Sequence, residues 1–106
     1  MLSAVLHGAL RMKTPTRGVA RVAIVENHAM MRMGLAAFLK VIAGVEIIIE
    51  AESAKSALAA LPHANIDVMI IDLQLPDASG VDLVNQVRRL YPTIRILMIR
   101  DRKSVV

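Results

Sequence analysis

Two short apolar runs in this sequence end on carboxyl-bearing residues: residues 21–25 lead into Glu26-Asn27, and residues 68–71 lead into Asp72. Brought to one place, the Glu26 and Asp72 carboxylates repel each other and favour a divalent cation between them. A carboxylate shielded in that way can serve as a nucleophile. Other chemistries lack their residues. There is no cysteine, hence neither a disulfide framework nor a thiolate metal site. His7, His28 and His63 form no pair with metal-ligand spacing. No Ser/His/Asp set and no glycine-rich phosphate loop is present.

The elements that must position these groups follow from hydrophobic periodicity. Residues 21–25 read as a strand. Met31, Leu35, Phe38, Leu39 and Ile42 mark one face of a helix, with Gly44 as its stop. Val45–Ala51, rich in Ile, reads as a second strand, and Ser53 can cap a short Ala-rich helix ending near Leu61-Pro62. Residues 68–71 form a third strand running into Asp72. Residues 73–80, with Pro76 and Gly80, read as a loop. Leu83, Val84, Val87 and Leu90 define another helical face, broken at Tyr91-Pro92, and residues 94–99 form a fourth strand. His28 reads as a polar helix-entry residue, and Met30, Met31 and Met33 as helix packing and initiation.

The order βαβαβαβ, with nearly continuous apolar strands, predicts a parallel sheet covered on both faces. Right-handed crossovers lead to a doubly wound sheet of order 2-1-3-4. Ligand sites in such sheets lie beyond the carboxyl ends of the strands, at the switch in strand order. Glu26-Asn27 and Asp72 converge there.

Size and charge narrow the functional classes. A chain of 106 residues holds one domain at most, and with aromatics at 2% its core must be aliphatic. The net charge of +4 is carried by the ends. Residues 1–20 have three basic and no acidic residues, and residues 100–106 have three basic and one acidic; residues 21–99 hold seven basic against eight acidic. The central region is near neutral, so charge does not indicate a nucleic-acid groove. The apolar start MLSAVLHGAL is too short for a membrane span and lacks a preceding positive region. Residues 1–20 read as a disordered leader, 21–99 as the domain and 100–106 as a tail.

Two segments resemble a known family. Residues 22–39, VAIVENHAMMRMGLAAFL, look like the first strand and helix of two-component response regulator receiver domains of the kind that precede a LuxR-type helix-turn-helix. Residues 68–83, VMIIDLQLPDASGVDL, look like the phosphoacceptor strand and loop of the same family. The resemblance implies a flavodoxin-like, CheY-like fold and a cytoplasmic protein, in which Asp72 takes a phosphoryl group from a sensor histidine kinase. It implies Mg²⁺ held by Glu26, Asn27, Asp72 and the Gln74 carbonyl, with Pro76 and Gly80 shaping the loop. The parent would be a DNA-binding transcriptional regulator, although no helix-turn-helix in this chain provides nucleic-acid contact.

Departures from the family pattern carry expectations of their own. Asn27 stands where the family usually has a second acid, so Mg²⁺ binding should be weak. Arg100 stands where Thr or Ser usually ends the fourth strand. The fifth strand, its lysine, the aromatic switch residue and the last two helices have no counterpart, as if the domain were cut after the fourth strand. That predicts impaired phosphotransfer and a homodimer through the exposed fourth strand. A competing reading is a non-phosphorylated pseudo-receiver acting as an interaction or dimerisation module. A small-ligand binder on such a sheet is a third, without a glycine-rich loop to support it.

Overall fold

The structure, a computed structural model, describes residues 18–100. Of the leader expected at 1–20 and the tail expected at 100–106, residues 1–17 and 101–106 lie outside the described residues, and Ala20 already belongs to the first strand. The elements are β1 (Ala20–Val25), α1 (Ala29–Lys40), β2 (Val45–Ala51), α2 (Ala54–Ala60), a 3₁₀ turn (Leu61–His63), β3 (Val68–Asp72), α3 (Gly80–Leu90) and β4 (Arg95–Ile99). All pairings are parallel, and the strand order is β2-β1-β3-β4, as the crossover argument predicts.

Alternation along the strands divides the core in two. Ala23, Val25, Met69 and Ile71 face Ala54, Ala57 and Leu61 around α2 and Leu83, Val84 and Val87 of α3. Val22, Ile24, Val68 and Ile70 face Leu35, Ala36 and Leu39 of α1. β1 and β3 are buried almost throughout because they are central and covered on both sides. β4 lies at the sheet edge, and only its Ile99 is buried. No helix among the described residues is long and apolar enough to cross a membrane.

Four local expectations need correction. α1 stops at Lys40, before Gly44. Gly44 has φ of 80°, and its carbonyl accepts the Ala20 N–H at 2.6 Å, so it turns the chain into β2 rather than ending the helix. Met31 packs against the α1-side core, whereas Met30 and Met33 are 76% and 66% exposed, because they fall outside the arc set by Leu35 and Leu39. Leu90 is 60% exposed, at the last turn of α3. Gly80 belongs to α3 as its first residue, not to the loop.

Candidate functional site

The site begins with strand register. Val25 pairs with Ile71, which sets Glu26, the next residue, beside Asp72 at the carboxyl ends of two neighbouring strands. Backbone bonds hold both ends. The Glu26 N–H donates to Ala51 O at 2.9 Å, and the Leu73 N–H donates to Ile99 O at 2.8 Å. Glu26 and Asp72 are the buried charged residues of the described chain, each with no exposed surface. Two carboxylates without solvent on adjacent strands carry an electrostatic cost that no apolar neighbour relieves.

Their hydrogen bonding is lopsided. Asp72 Oδ1 accepts the Gln74 N–H at 3.1 Å, while Asp72 Oδ2 is buried without a hydrogen-bond partner. Glu26 Oε2 accepts the His28 N–H at 2.8 Å, which folds the β1–α1 turn back on its own side chain. Asn27 is exposed at the top of this turn. Gln74 pairs with Ser79 in an isolated antiparallel bridge, closed by the Gly80 N–H on Leu73 O at 2.8 Å. Pro76 lies exposed in that loop.

Gly80 is where the loop leaves no room for a side chain. A Cβ there would stand 2.3 Å from Asp72 O and 2.7 Å from Leu73 Cα. The start of α3 therefore rests directly on the backbone of Asp72, and only glycine permits that approach.

These residues fit a hard divalent cation. The unpartnered Asp72 Oδ2 is the kind of orphaned acceptor such an ion satisfies, and Glu26 supplies a second carboxylate beside it. Among the described residues no group of three or more His, Cys, Asp or Glu is gathered to hold a metal. The remaining ligands would thus be neutral, from the Gln74 carbonyl, the Asn27 amide and water, a set that Mg²⁺ accepts. Asn27→Asp is accordingly expected to raise Mg²⁺ affinity by roughly tenfold, one extra charge at close range being worth on the order of 1 kcal/mol or more. Calorimetric titration checks it, and equal affinities would show that the neutral amide does not weaken the site.

Two residues near the site were not found from sequence. Arg32 Nη1 donates to Glu26 O at 2.7 Å, bracing the β1–α1 turn. Its signal was available: a cation early in a helix opposes the macrodipole, and α1 has no acid in its first turn to balance it. Asp77 accepts the Ala54 N–H on Oδ1 and the Lys55 N–H on Oδ2, both at 2.9 Å. These two backbone donors, Lys55 first, hold its carboxyl below the usual carboxylate range. Nothing local in the sequence pairs a loop aspartate with a helix more than twenty positions earlier.

A family model described as the response regulator receiver domain matches residues 22–105, most of the chain. The transcriptional regulatory protein UhpA of Salmonella typhimurium is 33% identical over 85 residues, covering 80% of this chain and 43% of that protein. The response regulator protein VraR of Staphylococcus aureus is 30% identical over 79 residues, covering 74% of this chain and 38% of that one. The chain thus spans less than half the length of these curated relatives. RcsB from Salmonella enterica serovar Typhimurium, solved on promoter rprA in the presence of phosphomimetic BeF₃⁻, superimposes with a TM-score of 0.73 at 25% identity, over 76% of this chain and 47% of that one. A structure of two RcsB dimers bound to two parallel DNAs gives the same TM-score of 0.73 and identity of 25%, over 77% of this chain and 44% of that one.

Proposed function

The chain belongs to the response regulator receiver domain family, and from that premise we propose that it is a signalling phosphoacceptor whose Asp72 takes a phosphoryl group from a sensor histidine kinase. The observation that carries the reading is the buried Asp72 carboxylate, with one oxygen held by the Gln74 N–H and the other unpartnered. In the transfer an Asp72 oxygen forms a bond to phosphorus as the phosphorus–nitrogen bond of the kinase phosphohistidine breaks. The electron pair of that bond leaves with the imidazole. Mg²⁺, when bound, neutralises charge on nucleophile and phosphoryl group alike. Glu26, Asn27, Asp72 and the Gln74 carbonyl would hold it, while Gly80 and Pro76 keep the loop close to the acceptor.

Incubation with acetyl phosphate and Mg²⁺, followed by intact mass and peptide mapping, tests this. One phosphoryl group on the peptide containing Asp72 is expected; an adduct elsewhere, or none, would refute it. Transfer should be slow, because the exposed Arg100 follows Ile99 at the end of β4, where the family usually offers a hydroxyl to the phosphoryl oxygens. The neutral Asn27 favours a second reading, a pseudo-receiver that binds partners without phosphorylation, and absence of any adduct would select it.

The setting we infer is the cytoplasmic receiver part of a DNA-binding transcriptional regulator, supported by the names of UhpA and RcsB. For self-association the supporting surface is β4, the edge strand, with Ile96, Leu97 and Met98 only partly buried. Unpaired edge groups beside apolar side chains invite a second copy. The 106-residue chain is expected to show a scattering mass that rises with concentration. A monomer throughout the millimolar range would remove the edge-pairing reading.

A further inference from the structure

The helix that follows β2 and the loop that follows β3 complete each other. α2 is only 7 residues long, and its first three N–H groups have no partners within the helix. Ser53 Oγ accepts the third, from Ser56 at 3.1 Å. The first two, from Ala54 and Lys55, are both taken by the single carboxylate of Asp77 at 2.9 Å. Asp77 sits at the tip of the loop between Asp72 and α3, beyond the Gln74–Ser79 bridge. The base of this loop is fixed by Gly80 on Leu73 O. Its tip is fixed to another element by Asp77. Since β1 lies between β2 and β3, this tether reaches past the strand that carries Glu26.

We propose that Asp77 is a positioning residue for phosphoryl transfer, holding the acceptor loop against α2 so that the Gln74 amide stays on Asp72 Oδ1. This rests on Asp72 being the phosphoacceptor. Two charge-assisted bonds from one carboxylate set both the distance and the angle of the loop tip. Gln74 lies three positions from that tip and two from the acceptor, so release of Asp77 frees the amide that orients Asp72.

The experiment compares the full chain with Asp77→Ala, Asp77→Asn and Ser53→Ala. Phosphorylation by acetyl phosphate at saturating Mg²⁺ is measured beside amide hydrogen exchange at Gln74 and Ile70. Asp77→Ala is expected to lower the maximal rate by roughly tenfold, within the range that small misplacements cost, at unchanged half-saturation for acetyl phosphate. Its Gln74 amide should exchange faster while Ile70 in β3 does not. Asp77→Asn, retaining one acceptor oxygen, should fall between. Ser53→Ala removes a cap from the same helix without touching the loop, and should keep the wild-type rate.

A wild-type rate in Asp77→Ala overturns the proposal. So does an equal slowing by Ser53→Ala, which would trace the effect to α2 stability. If the unaltered chain takes no phosphoryl group, the acceptor reading fails by itself and Gln74 exchange decides. Faster exchange in Asp77→Ala upholds the positioning role, and unchanged exchange overturns it.

Discussion

Asp72→Asn is expected to abolish phosphoryl transfer completely and, in the same molecule, to raise the unfolding temperature measured in EDTA. The first half follows from chemistry, since an amide is not a nucleophile toward phosphorus under these conditions. The second follows from burial. Asp72 is fully buried, beside the fully buried Glu26, and its Oδ2 has no hydrogen-bond partner. Asn keeps the shape, keeps an oxygen for the Gln74 N–H, and puts a neutral NH₂ group where the unpartnered Oδ2 stood. Relief of one buried, incompletely bonded charge is worth about 1–3 kcal/mol. For a domain of this size that is about 5–20 °C. Added Mg²⁺ should narrow the gap, because only the wild-type site gains from the cation. An Asp72→Asn protein that melts at or below the wild-type temperature in EDTA would mean the pair is not strained.

Much of the fold was legible because its signals are periodic. The nearly continuous apolar runs of β1 and β3, and the spacing of Leu35 and Leu39, report burial directly, and the crossover rule converts element order into strand order. The capping by Ser53 was also readable, since a hydroxyl before an Ala-rich segment has few other uses. Misread details were those that depend on what lies across from a residue. Leu90 continues the apolar spacing of α3, yet it is the last residue of the helix and largely exposed. Met30 and Met33 look like packing residues by type alone, and only the angular position of Leu35 and Leu39 shows them facing outward.

The candidate site divides in the same way. Asp72 and Glu26 were readable because each ends an apolar run, and strand order alone makes them neighbours. Gln74 contributes through its backbone, which residue identity does not encode. Asp77 depends on a helix that chain order places far away, so its carboxylate looks like any loop aspartate. Arg32 is an intermediate case, visible as a charge on the wrong end of a helix but without an indication that it reaches a carbonyl.

Gly80 is the position where fold and site depend on the same atom, and Gly80→Ala is expected to cost about 1–3 kcal/mol of stability. Two effects oppose each other. Alanine favours the helical conformation by up to about 1 kcal/mol over glycine, though less at a first helical position such as this one. Against it, the added Cβ would lie 2.3 Å from Asp72 O, 2.7 Å from Leu73 Cα and 3.0 Å from Asp72 C. All three are backbone atoms, so no rotamer change relieves the contact; either α3 lifts or the end of β3 shifts. Lifting α3 draws Leu83, Val84 and Val87 from the core they share with Met69 and Ile71. Shifting β3 moves Asp72 itself and breaks the Gly80 N–H bond to Leu73 O. The clash wins on magnitude. Thermal unfolding should fall by about 5–20 °C, and acetyl phosphate labelling of the surviving folded fraction should slow as well. Gly80→Val, with a larger side chain at the same point, should be worse on both counts. A Gly80→Ala protein at least as stable as wild type, labelled at the same rate, would show that α3 does not rest on the Asp72 backbone.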